Sequence, residues 1–188
     1  MNKIIKLTVF LLVVTGVAGL AIGYVNGITA PVIAIQEEER LRQGYGEIYP
    51  GADEYEALSD QSDSETIESV ILAKKGQDTA GVLYIVTPKG YGGAMKILVG
   101  FDIAGQKITG IKILNQAETP GLGANCVQSW FTERFQDKTA ASDLKVVKVE
   151  TEAADEIQAI TAATITTKAV ADGVNAARAD FTAIYGSN

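Results

Sequence analysis

Histidine is absent from this chain of 188 residues, and cysteine occurs once, at Cys126. Without His, neither a Ser-His-Asp nor a Cys-His centre can be assembled, because the general base is missing. One thiol and no imidazole also leave a zinc or copper site without its usual ligands, and a lone Cys excludes an intrachain disulfide framework. Aromatic residues make up only 7%. Basic residues are outnumbered, 16 against 23 acidic, for a formal net charge of −7. That balance argues against binding a phosphate backbone, and no nucleic-acid partner is expected. The dinucleotide fingerprint Gly-x-Gly-x-x-Gly after a strand is missing as well, so the chain is not expected to bind NAD by itself. No internal repeat or low-complexity tract interrupts the sequence.

What the chain does have begins at its start. From Leu7 to Gln36 no residue is charged, and the most apolar part, Leu7 to Val25, runs for 19 residues. As a helix at about 1.5 Å per residue it spans roughly 28 Å, enough to cross a hydrocarbon core. Lys3 and Lys6 precede it, and the next basic residue is Arg40. The positive-inside rule then predicts a cytoplasmic N-terminus and an extracytoplasmic remainder after a single pass through the cytoplasmic membrane. A cleaved leader also has a basic start and an apolar run. Here the run is longer than usual for a leader, and Ala-Gly-Leu-Ala at Ala18 to Ala21 lies inside it, which favours a retained anchor over residues 1–30. Gly19, Gly23 and Gly27 recur on one face. Such a stripe lets another membrane helix approach closely, although glycine is also simply common in membrane helices.

Residues 31–66 read as a juxtamembrane helix and loop. Pro31 ends the anchor, Val32 to Gln43 forms a short charged helix, and Tyr49 to Thr66 is a polar loop. Residues 67–188 read as one domain. Four strand-like runs follow one another: Ser69 to Lys74, Gly81 to Thr87, Met95 to Ile103 and Lys107 to Leu114. The second is apolar from Val82 to Val86, so both of its faces should be covered. Tight turns between runs predict an antiparallel meander. Two helices are expected after it. Asn125 to Phe135 places Val127, Phe131 and Phe135 at fourfold spacing, and Lys168 to Tyr185 aligns Val170, Val174, Ala177, Phe181 and Ile184. Strands first and helices after predict an α+β fold.

Three loop segments carry the candidate chemistry. Gly90-Tyr91-Gly92-Gly93 sits between the second and third runs, where its glycines permit either a wide hairpin or close approach of a planar ligand. Glu118-Thr119-Pro120-Gly121-Leu122-Gly123 follows the fourth run, and Pro then Gly is a type II turn signature. Thr161-Ala162-Ala163-Thr164-Ile165-Thr166-Thr167 leads into the last helix. One Thr there should cap the helix; four exceed that need, and a phosphate near this helix start would be favoured by free N–H groups and the dipole. Cys126 reads as a small buried apolar residue.

Together these segments resemble the FMN-binding subunits of ion-translocating redox complexes, the family that includes the Rnf complex G subunit and the C subunit of the sodium-translocating NADH:quinone reductase. The resemblance spans nearly the whole chain, and the compact length is closer to the Rnf subunit. It implies a single FMN-binding domain with an antiparallel sheet and flanking helices, and an electron-transfer subunit that is not catalytic alone. It implies FMN joined through its phosphate to a threonine by a flavin transferase, with Thr164 as acceptor and Thr166 or Thr167 as fallback hydroxyls. Around it, Thr161, Ala163, Tyr91, Gly92, Gly93, Glu118, Thr119, Pro120, Gly121, Leu122 and Gly123 would form the flavin site. Implied partners are the other membrane and peripheral subunits of an Rnf-type complex, a second flavin-carrying membrane subunit among them. Two positions depart from the family pattern: Ala162 stands where Gly is usual, and Gln158 where Asp is. Ala162 adds only a methyl group, which predicts slower modification rather than none. The departures leave a second reading, an anchored assembly module of such a complex without flavin. A free-standing extracellular flavin reductase is disfavoured, because no second domain is present for a substrate.

Overall fold

A computed structural model of the chain describes residues 2–58 and 64–186. They form two compact units, 1–42 and 43–188. The first is the bulk of helix α1, Lys3–Ile48. Its apolar window has a mean hydropathy of 2.3 and none of it is buried, so the helix is long and apolar enough to cross a membrane. An apolar surface that finds no protein partner belongs to lipid or to another chain. The expected break at Pro31 does not occur. Pro31 lies inside one continuous helix of 46 residues. Proline removes one backbone donor, a loss that the many bonds on either side of it outweigh.

The second unit is built on a sheet of five strands: β1 Glu54–Leu58, β2 Ile67–Lys75, β3 Asp78–Val86, β4 Lys96–Asp102 and β5 Lys107–Asn115. They pair in sequence order, and each pair is antiparallel. Four of the five lie where the sequence predicts them. The exception is β1, which falls within the stretch expected to be a loop. It is an edge strand with Glu54 and Glu56 exposed, so its acidic composition masks it. Positions 59–63 of that same expected loop lie outside the described residues.

The register assigns the two faces of the sheet. Val82 pairs with Phe101, Tyr84 with Val99 and Val86 with Ile97, and these side chains join the main core cluster. The last helix, α3 Thr164–Tyr185, adds Val170, Val174, Ala177 and Phe181 to that cluster. Phe181 stacks on Phe101 at 4.8 Å, and the Tyr84 ring meets Phe101 edge-on at 5.7 Å. Truncating a fully buried Phe at such a junction costs about 3–5 kcal/mol. On the opposite face lie Ile71, Leu83, Ile85 and Leu98, buried in turn. The last turn of α1 packs there, with Ile48 against Gly100 and Gly110. Strand β3 is therefore covered on both sides, as its unbroken apolar run requires.

The segment after β5 differs from expectation. In place of one helix from Asn125 to Phe135 there are three short pieces: a 3-10 turn Gly123–Val127, α2 Ser129–Thr132 and a 3-10 turn Glu133–Phe135. Gln128 breaks the path with an extended backbone at ψ 142°. Phe131 and Phe135 are buried, whereas Val127 and Trp130 each expose 46%. Two separate turns satisfy the fourfold spacing of the phenylalanines as well as one helix does. Two further strands, β6 Lys145–Val147 and β7 Glu156–Gln158, form a small parallel pair. At three residues each they carry no detectable alternation. Ile184, placed on the α3 stripe, is exposed, and Tyr185, four residues after Phe181, packs against the core in its place.

Candidate functional site

Strand β5 delivers the chain to Glu118, whose N–H donates to Gln116 Oε1 at 2.6 Å. Only 6% of Glu118 is exposed. Its Oε1 accepts from the Gly92 N–H at 2.8 Å, and its Oε2 accepts from the Thr166 hydroxyl at 2.5 Å. One carboxylate thus ties together the three segments that the sequence singles out, the Gly90–Gly93 turn, the Glu118–Gly123 loop and the start of α3. Glu118 therefore bonds beyond its own loop, to two other elements.

The loop beyond Glu118 turns as its sequence dictates. Thr119 C=O accepts from the N–H of Leu122 and of Ala124, both at 3.1 Å. Pro120 and Gly121 occupy the central positions, with Gly121 at φ +77°. Asn125 donates to the Gly121 carbonyl at 3.1 Å, closing the loop onto the following 3-10 turn.

At α3 the four threonines divide. Thr167 is buried, donates to Ala163 C=O at 3.1 Å and accepts from the Ile160 N–H at 3.0 Å. Thr166 is buried on Glu118. Thr161 and Thr164 are exposed. The expected threonine cap is not there: the N-cap is Ala163, with no side-chain cap. The first-turn N–H groups of Thr164, Ile165 and Thr166 therefore lack the usual side-chain acceptor. Ala162, one residue earlier, adopts φ +60°, a left-handed backbone that favours glycine.

A groove of about 530 Å³ opens between these segments, within the range of small-molecule sites. Tyr91 reaches it from the β3–β4 turn, Glu118, Thr119, Leu122 and Gly123 from the loop, and Ala163, Thr164 and Thr166 from the helix start. Among the other residues named from the sequence, Gly92, Gly93, Pro120, Gly121, Thr161 and Thr167 do not line it; they shape the turns behind it. Ile165 lines the groove without having been singled out. Its signal was available, since an exposed Ile lies off the apolar stripe of α3. Cys126 is fully buried, and its thiol is pushed up to about 11 by burial first and by the charge of Glu118 second. It stays a protonated, inert thiol at neutral pH.

Comparison with known proteins bears on this geometry. The family model of an FMN-binding domain matches residues 90–179, which include all three segments. The G subunit of the Na⁺-translocating ferredoxin:NAD⁺ oxidoreductase complex of Acetobacterium woodii is 36% identical over 186 residues, covering 92% of this chain and 88% of that protein. The G subunit of the proton-translocating ferredoxin:NAD⁺ oxidoreductase complex of Clostridium ljungdahlii is 34% identical over 185 residues, covering 98% and 95%. The chain belongs to the family of Rnf complex G subunits. A solved structure agrees at the level of fold: the C subunit of the Na⁺-translocating NADH-quinone reductase of Parabacteroides distasonis superposes with a TM-score of 0.58 over 73% of this chain and 79% of that one, at 19% identity. The α+β architecture of this member of the Rnf G family is thus shared with a protein of very different sequence.

The residues present fit an FMN. Tyr91, Leu122 and Ile165 expose 71%, 41% and 60% at the groove, an apolar lining suited to a flat aromatic ring. The uncapped start of a helix of 22 residues, with the exposed Thr164 on it, suits a phosphate. Among the described residues no Lys or Arg lines the groove, so backbone N–H groups and the helix dipole are the positive ends on offer.

Proposed function

We propose that this chain is an electron-transfer subunit of an Rnf-type ion-translocating ferredoxin:NAD⁺ oxidoreductase, carrying FMN as a phosphoester on Thr164. The observation that carries this reading is the division of the threonines. Thr166 and Thr167 are buried and hydrogen-bonded, while Thr164 is exposed and lines the groove at an uncapped helix start. A flavin transferase needs an acceptor that it can reach: Thr166 and Thr167 are buried, and Thr161, though exposed, does not line the groove as Thr164 does.

Bound FMN supplies electron exchange in one- or two-electron steps, a chemistry that no side chain of this domain provides. The protein's part is to hold and surround it. The first-turn N–H groups of α3 and the helix dipole stabilise the phosphate. Tyr91, Leu122 and Ile165 shield the ring from water. A covalent link prevents loss of the cofactor from a domain displayed outside the cell. Helix α1 anchors that domain, with Lys3 and Lys6 holding its start in the cytoplasm, and the remaining subunits of the complex supply and remove the electrons.

The test is the intact mass of the full chain co-expressed with a flavin transferase, together with flavin fluorescence on a denaturing gel. A gain of one FMN less one water is expected, and Thr164→Val should abolish it, since Val keeps the β-branched shape and loses only the hydroxyl. Covalent flavin retained in Thr164→Val would overturn the assignment. No gain beside a control substrate that is modified would leave an anchored assembly module as the function.

A further inference from the structure

We propose that Glu118 is a positioning residue for the attachment of the cofactor: it holds the first turn of α3 through Thr166 and so sets the direction of the Thr164 hydroxyl. This rests on the Thr164 reading above and deepens it.

The carboxylate is nearly inaccessible, and no ion pair to a basic residue is found for it among the described residues. An ionised group buried without a counter-charge is costly unless hydrogen bonds compensate. Here the compensation is two charge-assisted bonds, one on each oxygen, to Gly92 N–H and to Thr166 O–H. With both oxygens engaged on the protein, Glu118 acts on the groove through its neighbours. Its charge would also repel a phosphate, so attraction of the cofactor does not explain its place.

The glycines around it point the same way. A β-carbon on Gly123 would fall 2.5 Å from Thr166 Oγ1 and closer still to Glu118 Oε2, and one on Gly90 would overlap Glu118 Oε1. Two glycines of the two loop motifs are therefore small to admit this carboxylate and its hydroxyl partner. That is a different reason from the approach of a ligand. The helix start adds a further constraint. Ala163 supplies no cap and Ala162 is strained at φ +60°, so side-chain bonds must hold the first turn. Thr167 ties it to Ile160, and Thr166 ties it to Glu118. Thr164 lies two residues from Thr166, on the same turn.

Glu118→Gln can preserve both links. Its amide oxygen accepts from Gly92 N–H and its NH₂ donates to Thr166 Oγ1, which accepts as readily as it donates. Glu118→Ala breaks both. The experiment follows transferase-dependent flavin incorporation into the full chain, in detergent, with kcat and KM for the chain as substrate. Glu118→Ala is expected to lower kcat about tenfold or more with little change in KM, as misplacing an acceptor does. Glu118→Gln should stay within about threefold of the wild type. Thr166→Val should reproduce the loss, and the double variant Glu118→Ala with Thr166→Val should be no worse than either single one, because groups acting as a unit are not additive. Thr166→Val removes only one hydroxyl, so it tests the same link if Glu118→Ala does not fold. Wild-type kcat in Thr166→Val, or independent multiplied losses, overturns the positioning role while the Thr164 reading stands. A wild-type chain that takes no flavin overturns both.

Discussion

Ala162 shows how a single residue changes meaning once its backbone angle is known. In the sequence it is one methyl group more than the glycine that the resemblance leads one to expect there. In the structure it sits at φ +60°, where a β-carbon costs about 1–2 kcal/mol. Glycine relieves that strain but costs about 0.5–1 kcal/mol more in lost chain freedom. Ala162→Gly should thus stabilise the protein by roughly 0.5–1 kcal/mol. A higher urea midpoint at unchanged slope is the expected result, and an equal or lower midpoint would contradict the strain. The four threonines make the same point. As letters they are interchangeable, and only burial separates Thr166 and Thr167, which hold the fold, from Thr161 and Thr164, which face solvent. Cys126 was legible from the start, because a lone thiol in a chain without histidine reads as a small buried side chain, and it is fully buried.

At the scale of elements, legibility follows the length of the pattern. Strands β2 to β5 run 7 to 9 residues, long enough to stand out as apolar runs between turn residues. Helix α3 runs 22 residues and shows its stripe. Strand β1 is hidden by its exposed acids, β6 and β7 by their brevity, and the broken turns after β5 imitate a helix because Phe131 and Phe135 are four apart. The loops that build the groove depend on backbone meeting backbone. A β-carbon on Gly92 would land on the Ala117 carbonyl, and neither atom is at the end of a flexible side chain. Gly92→Ala should cost about 2 kcal/mol or more, by clash and by loss of the bond to Glu118. Thermal unfolding against Gly46→Ala measures this. Gly46 lies in α1 with open space around it, so that control should be neutral or stabilising, and equal behaviour of the two variants would refute the crossing.

At the scale of the whole molecule the contrast is between an apolar helix whose membrane-length window is unburied among the described residues and a domain with a closed core. The helix offers Gly19, Gly23 and Gly27 on one face, each with nothing within 4 Å of a β-carbon position. In lipid, close packing rather than hydrophobicity drives helix association. Gly23→Leu should therefore lower co-purification of the chain with membrane subunits several-fold, read by quantitative blotting, and unchanged recovery would remove the stripe from the interface. The long apolar helix, the meander, the last helix and the loop motifs were all determined by the sequence itself, because each is written in residues that are neighbours along the chain. The groove was not. Gly92, Glu118 and Thr166 come from three separate elements, and Glu118 lies 26 residues from Gly92 and 48 from Thr166 along the chain. Their meeting at one carboxylate depends on how β3, β4 and β5 pair and where α3 lies on them, a long-range packing outcome that no local spacing encodes.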